Sequence, residues 1–254
     1  MKVLVIGDII GKPGRQAIQR LLPGLRAEFN LDMVIANAEN LAGGIGVTPE
    51  TAREMIEAGV DVLTSGNHIW AQRDIIPEID SLPLVRPLNY PPGVPGRGYI
   101  IERNVMVVNL MGRVFIGNYD CPFRAMDALL SSVDPLPKVI IVDFHAEATA
   151  EKIALGRYLD GRVSAVLGTH THVGTIDHRI FPRGTAFVSD IGMTGPVESV
   201  IGDEIDAVLR RVLTMMPGRL SPAKGRVQFT GMLVDIDEES GKATSIERII
   251  RDGG

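Results

Sequence analysis

Asp8, Glu39, Asn67, His145, His170 and His172 make up a donor set of carboxylate, carboxamide and imidazole groups, with no thiolate among them. Such a hard-to-borderline set suits Mn²⁺, Fe²⁺/Fe³⁺ or Zn²⁺ better than Cu(I) or a structural zinc cage. The spacing His170-Thr171-His172 carries the most information, because alternate residues of an extended segment share a face and can aim both rings at one centre. The donors outnumber what one tetrahedral ion takes. Two ions about 3.5–4 Å apart, sharing one carboxylate and a hydroxide, would use them all and could activate water for in-line attack on phosphorus. Singly, each residue has a plainer reading: Asp8 as the cap of a following helix, Glu39-Asn40 as an exposed turn, His145 as a hydrogen-bonded core imidazole. Joint placement argues for chemistry. Of the five histidines, His68, His145, His170 and His172 each follow a predicted strand, and only His178, read as a surface residue, lies elsewhere.

Those strands are short apolar, β-branched runs alternating with helical segments, the pattern of a layered α/β fold. The strand candidates are Val3–Ile6, Met33–Ala36, Val60–Thr64, Val105–Leu110, Val139–Val142 and Ala165–Leu167, apolar enough throughout to be buried on both faces. Helices are expected at Gln16–Phe29, Pro49–Glu57, Ala71–Ile79, Phe123–Ser132, Thr149–Leu159 and Gly202–Leu213. The second is well punctuated, with Thr48 as cap, Pro49 in the first turn and Gly59 at the exit. Beyond about residue 174 the texture becomes that of hairpins, with strands at Thr175–Ile180, Ala186–Val188, Val227–Ile236 and Ala243–Ile250. Open α/β sheets bind ligands beyond the carboxyl ends of their strands. There the runs deliver Gly7-Asp8, Asn37-Ala38-Glu39-Asn40, Ser65-Gly66-Asn67-His68, Asp143-Phe144-His145 and Gly168-Thr169-His170-Thr171-His172.

Composition bounds the remaining possibilities. A chain of 254 residues, 45% hydrophobic, can bury a large core, and one domain spanning 1–254 is expected. Net charge is −5 with no long run of either sign, so no broad basic footprint for duplex nucleic acid or an anionic membrane is present. The lone Cys121 excludes a disulfide framework. The apolar N-terminal run is interrupted by Asp8 and reads as a buried strand, not a signal peptide, and no stretch reaches the roughly 20 apolar residues that span a bilayer. A cytoplasmic location is expected. Gly7–Pro13 is one residue short of a P-loop and has Pro13 where Ser or Thr should hold Mg²⁺; Gly93–Gly98 lacks the dinucleotide context, and no Gly-x-Ser-x-Gly elbow occurs.

The ordered motifs Gly7-Asp8, Asn37-Ala38-Glu39-Asn40, Gly66-Asn67-His68, Asp143-Phe144-His145 and Gly168-Thr169-His170-Thr171-His172 resemble the calcineurin-like metallophosphoesterase superfamily over nearly the whole chain. Within it the chain is similar to the bacterial YmdB-like metallophosphoesterases, described as cyclic nucleotide phosphodiesterases acting on 2′,3′-cyclic ends. The resemblance implies a four-layer α/β/β/α sandwich with a dinuclear metal site, of Fe or Mn with Zn as an alternative, at the C-terminal edge of the strands. It implies that Asp8, Glu39 and His172, with Asn40 as an extra ligand, hold one ion, and that Glu39 bridges to a second held by Asn67, His145 and His170. His68 would protonate the leaving oxygen or donate to the phosphoryl oxygens, as a positioned imidazole can. Two positions depart from the broad superfamily pattern: Ile10 stands where a histidine ligand is usual, and Glu39 where the bridging residue is usually Asp.

The expected partner is therefore a small phosphodiester or cyclic nucleotide, with RNA ends as an extension, and a homo-oligomer is expected. Substrate recognition is less legible. The loop Asp190–Pro196 could present backbone amides to a phosphate or be an ordinary Gly-rich turn, and Tyr119, Phe123 and Arg124 are candidate pocket residues. The stiff loop Arg86–Gly96 reads as a surface excursion near a site or as a subunit contact. Two other functions use the same donors: a metallohydrolase acting on a C–N bond, and a regulatory scaffold with a structural metal site. A substrate panel separates the first, and a metal-loaded but inactive variant that keeps the cellular phenotype separates the second.

Overall fold

The computed structural model describes residues 1–254 and confirms the alternation. In chain order the elements are β1 (Lys2–Ile6), β2 (Asp8–Ile9), α1 (Gly11–Phe29), β3 (Met33–Asn37), α2 (Pro49–Glu57), β4 (Val62–Thr64), β5 (Tyr99–Glu102) and β6 (Val105–Met111). There follow α3 (Pro122–Ser132), β7 (Val139–His145), α4 (Thr149–Tyr158), β8 (Ala165–Thr169), β9 (Arg179–Ile180), β10 (Ala186–Val188), β11 (Met193–Pro196), α5 (Ile205–Thr214), β12 (Val227–Asp237) and β13 (Lys242–Asp252). One sheet runs β2-β11-β12-β1-β3-β4, with β13 paired to β12; the other runs β5-β6-β7-β8-β10-β9.

Both faces of each sheet are covered, which explains the unbroken apolar strands. Val3, Val5, Met33 and Ile35 of the first sheet pack on Val107, Ile141, Leu167 and Val188 of the second, forming the central core. On the outer face of the first sheet, Leu4, Ile6 and Val34 meet Ile18 and Leu22 of α1 and Ala52 and Met55 of α2. Outside the second, Val108, Ile140 and Val142 meet Met126 of α3 and Leu155 of α4. The result is the expected four-layer α/β/β/α sandwich, with β1, β3 and β4 mutually parallel and β6, β7, β8 and β10 likewise. Strands that run the same way end at the same edge, so the polar residues that follow them converge there. No helix is long and apolar enough to cross a membrane.

Local chemistry accounts for the differences from the sequence reading. Helix α1 starts at Gly11, five residues before the expected Gln16, because Pro13 falls in the first turn where its missing N–H costs nothing. The expected helix Ala71–Ile79 is instead two short 3-10 turns, Arg73–Ile75 and Ile79–Ser81, since Pro77 cannot donate within a continuous helix. Only Arg179–Ile180 of the expected strand Thr175–Ile180 pairs. Upstream of it, the Asp177 carboxylate accepts from Ser189 N (3.1 Å) and Oγ (2.6 Å), replacing the ladder with side-chain bonds. The loop Asp190–Pro196 ends in β11, which bridges β2 and β12. The loop Arg86–Gly96 is stapled by the Arg86 guanidinium to the carbonyls of Pro87, Val94 and Pro95.

Candidate metal centre

Glu39, His145 and His170 offer ligand atoms within 4.8 Å of one another at the edge where both sheets end. His145 is the last residue of β7 and is fully buried. Three groups crowd its Nε2: Glu39 Oε1 at 3.1 Å, Asn67 Oδ1 at 3.1 Å and His170 Nδ1 at 3.0 Å. Beside them, His172 Nε2 lies 3.7 Å from Asp8 Oδ1 and 3.2 Å from Asn40 Nδ2. His68 adjoins the first of these groups, its backbone N–H donating to Glu39 Oε2 at 3.0 Å and its Nε2 lying 3.2 Å from Asn67 Nδ2. Every residue singled out for the site thus lies in one cluster, and Glu39 stands between its two halves.

The plainer reading of His145 as a hydrogen-bonded core imidazole holds for its Nδ1 side, while those of Asp8 and Glu39-Asn40 do not match the geometry. Asp8 is buried in β2 and does not cap α1, whose N-cap position is Ile10 with no side-chain bond. Glu39 and Asn40 are buried, not an exposed turn. Ile10, where the superfamily pattern has a histidine, packs against Gly195 and Gly202.

Hydrogen bonds to the far side of each ring set the nitrogen that faces inward. Thr169 Oγ1 donates to Asp143 Oδ1 at 2.6 Å, so it accepts from His145 Nδ1 at 2.8 Å and leaves Nε2 inward. Asp143 is itself buried and is held by Asn37 Nδ2 at 3.0 Å and by Thr64 Oγ1. His172 Nδ1 donates to Ile201 O at 2.7 Å, again leaving Nε2 inward. His170 Nε2 lies 3.0 Å from Glu147 Oε2, which turns its Nδ1 inward. This is the outer support that metal-binding imidazoles normally have. Asp143, Thr169 and Glu147 were missed by sequence reasoning; the neighbouring motif Asp143-Phe144-His145 was the available signal for Asp143.

Burial and neighbouring charges set the electrostatics of the cluster. Burial pushes the Asp8 carboxyl up, against the pull of His172 and His145, to about 6. Burial also pushes Glu39 up and His145 down, but their mutual attraction and hydrogen bond win, holding Glu39 at about 2 and His145 at about 9. His170 is lowered to about 3 by burial and by the neighbouring His145 charge. Asp8 Oδ1 is buried with no hydrogen-bond partner, although buried polar atoms almost always have one. An orphaned carboxylate oxygen and three lone-pair groups around one imidazole nitrogen fit a bound cation. The fit extends to space: a methyl group at Gly66 would stand 2.3 Å from Glu39 Oε2 and 2.5 Å from His145 Nε2.

The cluster opens into a cavity of ≈ 650 Å³ lined by Glu39, Asn40, His68, His170 and His172, with Arg211 and Arg219 on the α5 side. Neither arginine was expected; one lies on α5 and the other in the segment after it, and no motif marks them. Arg124 and Phe123 do not line this cavity, and Tyr119 lines a separate one with Arg113 and Glu151. His178 is half-buried and stays outside the cavity.

Known proteins resemble this chain over nearly its whole length. The family model described as YmdB-like protein matches residues 4–249. The 2′,3′-cyclic-nucleotide 2′-phosphodiesterase of Bacillus subtilis is 43% identical over 255 residues, covering 98% of this chain and 97% of that protein. The crystal structure of a novel phosphatase from Mycoplasma pneumoniae superposes with a TM-score of 0.93 at 33% identity, covering 99% of this chain and 93% of that one. The calcineurin-like phosphoesterase YfkN of Bacillus subtilis shares the fold at a TM-score of 0.59 and 12% identity, covering 100% of this chain and 90% of that one.

Proposed function

The chain belongs to the YmdB-like family, and on that premise we propose that it hydrolyses 2′,3′-cyclic nucleotides, free or at the end of an RNA strand, as a single metallophosphoesterase domain. It is a phosphoesterase of the calcineurin-like fold, a fold that implies divalent metal ions. The observation that carries the reading is the crowding of Glu39, Asn67 and His170 around His145 Nε2, beside the orphaned Asp8 Oδ1. Phosphorus, rather than carbon, as the centre attacked is supported by the relatives' phosphodiesterase and phosphatase activities.

In this reading Asp8, Asn40 and His172 hold one ion, Asn67, His145 and His170 a second, and Glu39 both. The donor set, free of sulfur, suits Mn or Fe, with Zn as the alternative. When bound, the ions supply charge neutralisation at the phosphoryl oxygens and a water of lowered pKa. His68 reaches the same cavity and is assigned the proton delivered to the departing ribose oxygen. Its backbone N–H bond to Glu39 ties that imidazole to the bridging carboxylate. Arg211 and Arg219 line the same cavity on the α5 side, where Asp203 also lies, and hold the substrate's charge there. The lone Cys121 agrees with action in a reducing cytoplasm, and the exposed apolar residues Leu209, Val212 and Leu213 of α5 agree with a homo-oligomer.

The test is hydrolysis of 2′,3′-cyclic AMP by chelator-stripped protein with and without Mn²⁺, alongside phosphomonoester and amide substrates. Mn²⁺-dependent release of a nucleoside monophosphate is expected. Turnover of the amide alone would overturn the reading.

A further inference from the structure

Lys152 and Asp190 form an ion pair in which both side chains are 1% exposed, with Nζ to Oδ2 at 2.8 Å. Neither residue reaches the cavity, and nothing in the proposed reaction uses them. The partners of Asp190 reveal its place. The same Oδ2 accepts from Thr171 N at 3.1 Å and Thr171 Oγ1 at 2.9 Å, while Oδ1 accepts from Gly192 N at 2.8 Å. Its backbone carbonyl accepts from Thr175 N and from the Arg248 guanidinium, both at 3.0 Å, and its own N–H donates to Thr175 Oγ1 at 2.9 Å. Asp190 therefore grips the residue between His170 and His172 from below and is itself anchored on three sides.

That residue sits in an unusual stretch of backbone. His170 has φ 102° and His172 φ 65°, both in the left-handed region that side chains with a Cβ avoid. Ring direction at both positions follows from this backbone, so the alternation expected of an extended segment is not what aims the two imidazoles. A conformation of that kind persists only where its surroundings over-determine it. Thr171, held through both its amide and its hydroxyl, is the one point between the two rings where this happens.

We propose that Lys152, Asp190 and Thr171 are positioning residues that set His170 and His172 for metal binding: the Lys152 charge holds the Asp190 carboxylate, and that carboxylate holds Thr171. The proposal rests on the metal reading given above. It also reassigns the start of the loop Asp190–Pro196: the amides of Asp190, Ile191 and Gly192 donate to Thr175 Oγ1, Gly168 O and Asp190 Oδ1, and so form no nest for a substrate phosphate.

The experiment measures Mn²⁺ affinity by titration calorimetry, and melting of the stripped protein, for wild type, Thr171→Val, Thr171→Ser and Lys152→Met. Thr171→Val removes a single hydroxyl and is expected to weaken Mn²⁺ binding about tenfold, the lower end of what loss of an outer partner costs a metal site, while the stripped protein melts as wild type does. Thr171→Ser keeps the hydroxyl and is expected to keep the affinity. Lys152→Met is expected to lose at least as much affinity as Thr171→Val; should it fail to fold, Thr171→Val decides. Wild-type Mn²⁺ affinity in Thr171→Val, or a lowered melting temperature with affinity intact, would overturn the proposal. Failure of the wild-type protein itself to bind Mn²⁺ would overturn the metal reading and this inference with it.

Discussion

In the metal-free protein Glu39 and His145 are fully buried side chains whose opposite charges support each other most. Removing one member of such a pair leaves an uncompensated charge, which costs more than the pair itself contributes. Glu39→Ala is therefore expected to abolish both metal binding and turnover, read by metal analysis and by 2′,3′-cyclic AMP hydrolysis. The titration of the pair makes a second prediction. His145 is raised from 6.5 to about 9, so its contribution to the stripped protein is complete below pH 6.5 and lost as pH rises through 9. Asp8, raised from 3.8 to about 6, acts in the same sense at lower pH, whereas Glu39, lowered from 4.5 to about 2, contributes above 4.5 and loses that contribution only as pH falls through 2. Stripped protein should melt at a lower temperature as pH rises from 6.5 to 9. A metal-binding imidazole must give up its proton, so Mn²⁺ affinity should rise over the same interval. A melting temperature that rises with pH in the stripped protein would contradict this. His68→Ala is expected to keep both metals and lower kcat by about 10²–10⁴, the usual worth of a positioned acid; full turnover would remove His68 from the acid role.

At the scale of elements, the site is a set of strand ends whose approach to one another depends on residues without side chains. Gly66, just past β4, leaves room for the Glu39 carboxylate and the His145 ring, and Gly168, within β8, leaves room for the Ser189 carbonyl, 1.8 Å from where a Cβ would be. Gly66→Ala should therefore lose the metals while circular dichroism of the sandwich stays unchanged, because the clash falls on ligands and not on the three apolar layers. Helix α2 is a contrasting case, a local device with no part in the chemistry. Thr48 and Thr51 satisfy each other's backbone amides, at 3.0 and 3.3 Å. Thr48→Ala should lower stability by about 1 kcal/mol in denaturant titration with kcat unchanged.

For the molecule as a whole, the long β12 joins the two ends of the chain, pairing with β1 and β11 on one edge and β13 on the other. Helix α5 lies outside the layers: none of its residues is buried, and it carries Arg211 to the rim of the cavity. Replacing Arg211 and Arg219 with glutamine should raise KM for a cyclic nucleotide with kcat nearly preserved, the signature of lost binding that does not change between ground and transition states. The sequence alone determined the layered fold and the identities of the clustered residues, because strand burial and strand ends are written locally, in unbroken apolar runs and the polar residues that stop them. It also marked the start of α2, where cap and proline act within one turn. Pro77, which breaks the expected helix Ala71–Ile79, is also a local signal, one that overrides the apolar spacing. The sequence could not show that His170 and His172 would take left-handed backbone, or that Lys152 would lie beneath them. Nor could it single out Glu147, Arg211 and Arg219, which no motif marks. Those outcomes depend on contacts between residues far apart in the chain, such as His170 with Glu147 and Lys152 with Asp190, and such contacts exist only once the two sheets have packed.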